Sequence, residues 1–180
     1  MKNLKLLAIG CFAIMLSNCG TKLPKGQREV KLPCFQDKYT PTKKDYIASG
    51  RGISIDQVTS RKKALLNAKQ EIAGLVRTNI RSLTDDYTLS RTINNREELK
   101  SRFETITSEV VDEMLMDIDI KCQELGYDKK LNQYNTYVAL SISKDDAAKN
   151  IVNKLSKKDK EELDLDYEKF RSLLDKEINN

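Results

Sequence analysis

The sequence predicts an α+β fold in two layers: a small antiparallel sheet of about three strands packed against two long helices, with a charged C-terminal helix. Three observations carry this. Residues 45–52, DYIASGRG, make a short extended run directly ahead of a long helical stripe. A second stripe at helical spacing starts at Leu99. Ile118–Cys122 and Tyr134–Ile142 then alternate with period two, as strands with one buried face do.

The N-terminus sets the expected address. Lys2 and Lys5 form a basic start, and Leu6–Leu16 is an apolar core too short for a comfortable membrane span. It ends in Leu16-Ser17-Asn18-Cys19, which resembles a bacterial lipobox. That resemblance implies a signal peptide over residues 1–18 and a lipid on Cys19 as the first mature residue. Gly20 follows where aspartate would retain the protein in the inner membrane, and no acidic export run succeeds it. The expected location is therefore the outer membrane, facing the periplasm. An ordinary cleaved signal peptide or a buried N-terminal helix is the alternative. No apolar run beyond residue 20 is long enough to span a bilayer.

Residues 19–44 read as the lipidated cysteine and a tether. Pro24, Pro33 and Pro41 interrupt it and no period emerges. Its reach as a flexible coil is about 25–30 Å. Phe35 and Tyr39 are candidates to dock on the domain.

The domain is expected over residues 45–155. Ser54 and Gln57 have capping-box spacing, with Ile53 and Val58 as the flanking apolar pair. The first helix is expected to run from about Ile55 to Ser82, with Thr84-Asp85-Asp86 ending it. Its apolar stripe is Val58, Leu65, Ala68, Ile72, Leu75, Val76, Ile80 and Leu83. Gly74 marks either a close backbone crossing or a tolerated defect. Gly50 and Gly52 do not make a phosphate loop, since neither Gly-Lys-Ser/Thr nor a third glycine follows. They read as a strand exit needing free backbone angles.

Asn95 and Glu98 repeat the cap logic for a second helix, reaching about Met116, with Leu99, Phe103, Ile106, Val110 and Met114 on one stripe. Met114 and Met116 read as gap-fillers. Ile118, Ile120 and Cys122 are expected on one face of the next strand, with Gly126–Lys129 as its turn. Tyr134, Thr136, Val138, Leu140 and Ile142 share a face of the returning strand, and Ile47 should meet the same core. Ser143–Asp146 caps a helix carrying Ala147, Ala148, Ile151, Val152 and Leu155. Residues 156–180 form a charged helix with a narrow stripe of Leu163, Tyr167, Phe170, Leu174 and Ile178. That stripe either folds back on its own domain or pairs with a partner helix, including one from another copy.

Composition narrows function. The chain carries no histidine, which removes Ser–His and Cys–His nucleophile pairs and histidine metal sites. Net charge is +5, and loss of Lys2 and Lys5 with residues 1–18 lowers it by two. That excess is too weak to argue for nucleic-acid binding. Of four cysteines, Cys11 leaves with the signal peptide and Cys19 takes lipid. Cys34 and Cys122 remain, most simply as a disulfide in an oxidising periplasm, otherwise as two thiols. A bridge closing about ninety residues would contribute about 4–5 kcal/mol by chain entropy. Two cysteines without histidine do not build a zinc site, so no metal and no cofactor beyond the covalent lipid is expected.

Tyr46–Gly52, followed by a helix containing Lys63-Ala64-Leu65-Leu66-Asn67-Ala68-Lys69, resembles the Lpp-twenty lipoprotein family. The likeness covers roughly residues 44–155. It implies a small lipid-anchored envelope protein with an α+β domain, and supplies no catalytic residues. The expected function is a non-catalytic binding or structural module of the cell envelope, with an envelope protein or cell-wall component as partner. Two other readings stand beside it. One is a cell-wall glycan enzyme using Asp85/Asp86 or Asp117/Asp119 as paired carboxylates. The other is recognition of anionic envelope polymer or lipid headgroups by Arg61, Lys62, Lys69, Arg77 and Arg81 on the first helix.

Overall fold

The computed structural model describes residues 24, 26–89, 96–157, 160–161, 168 and 170–172, the side chains of 86–89 and 96 excepted. The chain divides into residues 1–30 and 31–180. In the first unit, the amide of Gln27 closes a turn on the Pro24 carbonyl at 3.1 Å. Cys19, Leu163, Tyr167, Leu174 and Ile178 lie outside the described residues, as does the Asn95 cap.

The second unit is the expected α+β fold. Strand β1 (Asp45–Ser54) leads into helix α1 (Gln57–Leu89), then α2 (Arg96–Met114), β2 (Asp119–Asp128), β3 (Gln133–Ser143) and α3 (Lys144–Lys154). The sheet is antiparallel in the order β1-β3-β2, so β3 is central. Opposite residues in an antiparallel pair share a face. Tyr46 opposes Ile142, Ala48 opposes Leu140, and Gly50 and Gly52 oppose Val138 and Thr136. This face meets α1 through Ala64, Ala68, Ile72 and Val76, all fully buried. Leu99, Phe103, Val110 and Val111 of α2, and Ala147, Ala148, Ile151 and Val152 of α3, complete the core.

Several boundaries differ from expectation. The strand runs through Gly50 and Gly52 to Ser54, because α1 starts later. Asp56, not Ser54, caps it: the Asp56 carboxylate accepts the Thr59 amide at 2.7 Å, while Ser54 Oγ accepts the Asp56 amide. Ile53 and Val58 are exposed, so no staple is buried there. The same helix passes straight through Thr84-Asp85-Asp86 to Leu89. Thr84 is buried and its hydroxyl donates back to the Ile80 carbonyl, and Asp85 is tied to Lys100 at 2.6 Å. Residues that favour helix ends in isolation are here held by the helix and its neighbour. Gly74 is exposed with open space where a Cβ would sit, which settles it as a tolerated defect.

The period-two pattern in β2 is broken. A bulge at Lys121 places Ile120 opposite Leu140 but Cys122 opposite Ala139. Neighbouring positions on β3 face opposite ways, so Ile120 and Cys122 do too. Ile118 precedes the strand and packs on the core. The turn falls at 129–132, where Asp128 Oδ1 accepts the amides of Lys130 and Leu131. Met114 packs on the core as expected, whereas Met116 is exposed. Ile47 opposes Ser141, which puts it on the sheet's second face and away from Val138 and Leu140.

The expected tether is only partly one. Residues 31–44, with a 3-10 turn at Asp37–Tyr39, belong to the folded unit. Cys34 is disulfide-bonded to Cys122. The Ser49 hydroxyl donates to the Cys34 carbonyl, and Phe35 meets Tyr137 edge-on with ring centroids 6.4 Å apart. Phe170 of the C-terminal segment is fully buried and stacks near Phe103, also at 6.4 Å. Fold-back of that segment is therefore the arrangement observed at Phe170.

Candidate functional site

The candidate site is the pair of seams that α1 makes, one with the sheet and one with α2. Each follows from local sequence. On its sheet side α1 presents Ser60, Ala64 and Ala68 at intervals of four, which stack on one face. Opposite them stand Gly50 and Gly52, two apart on β1 and therefore on one face of the strand. A Cβ on Gly52 would sit 2.0 Å from the Ser60 carbonyl oxygen and 2.5 Å from the Ala64 amide. On Gly50 it would sit 2.3 Å from the Ala64 carbonyl oxygen. Neither glycine has positive φ. They serve close approach of the helix, and the free-backbone-angle reading is corrected accordingly. Ser60 locks the seam: its hydroxyl donates to the Gly52 carbonyl at 2.9 Å and lies 2.8 Å from Thr136 Oγ1. Lys63 and Asn67 reach the Ile53 and Arg51 carbonyls, covering part of the outer edge of β1.

The seam with α2 uses the residues singled out for anion recognition. Arg77 pairs with Asp112 at 3.0 Å and Arg81 with Glu104 at 3.4 Å. Lys69 donates to the Leu115 carbonyl at 2.5 Å. Three of the five basic residues thus fasten α2 or the turn directly after it, and Asp85–Lys100 adds a fourth cross-link of the reverse polarity. Arg61 and Lys62 remain exposed near the start of α1. Lys62 lies close enough to Asp56 to help, after the hydrogen bonds to Thr59, in holding that carboxyl below its usual range.

Between α1 and α2 lies a cleft of about 200 Å³. Ile80 and Phe103 are buried apolar residues in its lining, with Thr84 and Thr107 beside them. Arg77, Arg81, Lys100, Asp85 and Glu104 carry its charges. Thr107 is only 3% exposed and its hydroxyl has no hydrogen-bond partner. Two other hollows are shallower: one near Glu113, Asp117, Asp119 and Ser143, the other on the sheet's second face around Arg51, Gly126 and Asn135.

Tyr46 and Lys144 are among the buried polar side chains that escaped the sequence reading. Tyr46 is 1% exposed, with its hydroxyl unpaired. Burial pushes its phenol up to about 12, and nearby Asn79 and Arg171 only temper this. Asn79 is near the hydroxyl, but no bond of sound geometry forms. Lys144 is 2% exposed; its ammonium donates to the Thr42 carbonyl at 2.6 Å and lies 5.0 Å from the Tyr46 ring centre. A lysine directly after a helix cap gives no sequence signal of burial. Thr42, its acceptor, sits in the segment read as tether.

Of the paired carboxylates, Asp117 and Asp119 both line the open hollow near Glu113 and Ser143, away from the α1–α2 cleft. Asp85 is in an ion pair, the side chain of Asp86 lies outside the described residues, Asp117 is exposed in the turn after α2, and Asp119 bonds Lys121 at 3.4 Å. Among the described residues no cluster of metal-ligating side chains occurs, and no helix is long and apolar enough to cross a membrane. No family model, curated protein or solved structure matches the chain.

Proposed function

We propose that this chain is an outer-membrane lipoprotein resembling the Lpp-twenty family, anchored through lipid on Cys19 and acting as a non-catalytic binding or structural module in the periplasm. The observation that carries the reading is the Cys34–Cys122 bond. Structural disulfides persist in oxidising compartments. A charge–apolar–cysteine leader ahead of a disulfide-bonded domain is the order expected of an exported, anchored protein. The bond also gives the anchor a mechanical meaning. Chain leaving the lipid reaches Cys34 first, and from there is covalently joined to β2. With residues 31–44 in the folded unit, the expected tether shortens to residues 20–30, whose reach as a flexible coil would be about 18 Å. The domain would be held close to the membrane surface.

The experiment is metabolic labelling with an alkyne fatty acid in intact cells, beside Cys19→Ala, with membranes fractionated afterwards. Label on the wild type, its loss in the variant, and recovery with the outer membrane are the expected results. An unlabelled wild type recovered as a released protein would refute the anchor. Crosslinking in the same cells, with the unanchored variant as control, would then identify the envelope component held.

A further inference from the structure

We propose that the cleft between α1 and α2 binds a small amphipathic anion, with a short acyl chain on the Ile80 and Phe103 lining and an anionic head at Arg77 and Arg81. The proposal does not depend on the lipid anchor; it uses the folded domain alone.

The cleft has the two properties such a ligand needs. Its buried apolar lining residues are Ile80 and Phe103, with Thr84 and Thr107 beside them. About 200 Å³ suits a chain of a few carbons, below the range of drug-sized ligands. Phe103 is backed by Phe170, so that wall is fixed by the core and does not collapse inwards. The charged lining residues carry three cations, Arg77, Arg81 and Lys100, against Asp85 and Glu104. Guanidinium forks match carboxylate or phosphate oxygens in pairs. Their present partners do not oppose this strongly. The side chains of Arg77 and Arg81 are 45% and 71% exposed, and exposed ion pairs exchange readily.

Thr107 is the independent sign. A hydroxyl with no partner in a helix interior is a cost that protein folds usually avoid. Here it belongs to a residue lining the cleft, beside Thr84, whose own hydroxyl is satisfied by Ile80. A ligand oxygen entering the cleft would give Thr107 the acceptor it lacks. Neither broader hollow offers this combination of a buried unpaired group and apolar walls.

The test is photolabelling of the full-length protein in vesicles with a diazirine-bearing octanoate. Labelled peptides are mapped by mass spectrometry, and octanoate, octyl phosphate and octanol compete. Label should fall on residues 77–84 and 103–108. Octanol should compete at least tenfold less well than the two anions, and the better anion separates a fatty carboxylate from a phosphate-headed lipid as the source. Arg77→Gln with Arg81→Gln should weaken labelling about tenfold. Thr107→Val should weaken it severalfold while leaving the thermal midpoint equal or higher. Ser108→Phe, which fills the cleft, should abolish it. Label spread evenly over the surface, or octanol competing as well as octanoate, would overturn the proposal. The wild-type peptide map decides this even if a variant fails to fold.

Discussion

Replacing Gly52 with alanine tests the α1–sheet seam most directly. The new methyl would stand 2.0 Å from a helix carbonyl oxygen and 2.5 Å from a helix amide, both backbone atoms that cannot rotate away. Ordinary contact begins near 3.4 Å, so α1 must lift by about 1.4 Å at this point. Lifting costs more than the clash. It strains the Ser60 hydrogen bonds to Gly52 and Thr136 and opens the layer of Ala64, Ala68 and Ile72 against β1 and β3. Overpacking alone costs about 1–3 kcal/mol, and a loosened buried layer adds more, so the loss should reach about 3–5 kcal/mol. That is a large part of the stability of a domain this size. The assay is urea unfolding followed by circular dichroism on the oxidised protein. Gly74→Ala is the control: with open space around its Cβ, it should stabilise by about 0.5–1 kcal/mol. Because φ at Gly52 is not positive, backbone strain cannot mimic the effect. A Gly52→Ala protein within 1 kcal/mol of wild type, by about the scatter of such measurements, would refute the close-approach argument.

Three further outcomes follow from the same geometry. Cys34→Ser should cost about 2–5 kcal/mol by denaturant unfolding, since the bond spans 88 residues of sequence, and chemical reduction of the wild type should reproduce it. Tyr46 has a folded pKa raised to about 12 against 10 unfolded, so its contribution is complete below pH 10 and is lost as pH rises towards 12. Up to about 2–3 kcal/mol is at stake in that window, and Tyr46→Phe should flatten the alkaline limb of a stability–pH curve while changing stability at pH 7 by under about 1 kcal/mol. Asp56 titrates below its usual value of 3.8, mainly through its bonds to Thr59, so its cap is intact above that pH and fails as pH falls below it. Asp56→Ala should lower the melting temperature at pH 7 and remove part of the acid dependence, read by thermal scans between pH 2 and pH 7.

What was legible in the sequence is what depends on neighbours within a turn or two. The helical stripes of Leu99, Phe103 and Val110 and of Ala147, Ala148 and Ile151 emerge as read, because period and cap are local properties. The Ser143 cap is real: its hydroxyl accepts the Asp146 amide at 3.2 Å. What misled was decided at a distance. Gly50 and Gly52 look like a flexible exit until Ser60 and Ala64 are placed across from them. A single bulge residue, Lys121, reverses the parity of β2 and moves Cys122 to the face where Cys34 waits. The helix end expected at Asp85 depends on whether Lys100, on another helix, is there to meet it. The basic stripe of α1 was legible as a stripe, but its partners Asp112 and Glu104 lie on α2.

The two seams of α1 differ in kind, and the difference assigns them different roles. Against the sheet the contact is small residue on glycine, with helix backbone nearly touching strand backbone and a buried hydroxyl locking both. Such an interface has one geometry, because any displacement either clashes or opens a void. Against α2 the outer contacts are long, half-exposed ion pairs over an apolar layer, and each such pair contributes about 0–1 kcal/mol. Their side chains can let go singly without disturbing the layer beneath. A protein that needs a stable scaffold and an adaptable surface would place the first seam at its centre and the second beside its cleft. That is the order found here: the disulfide and the glycine seam brace the sheet from its two faces, and the cleft lies where the ion pairs can part.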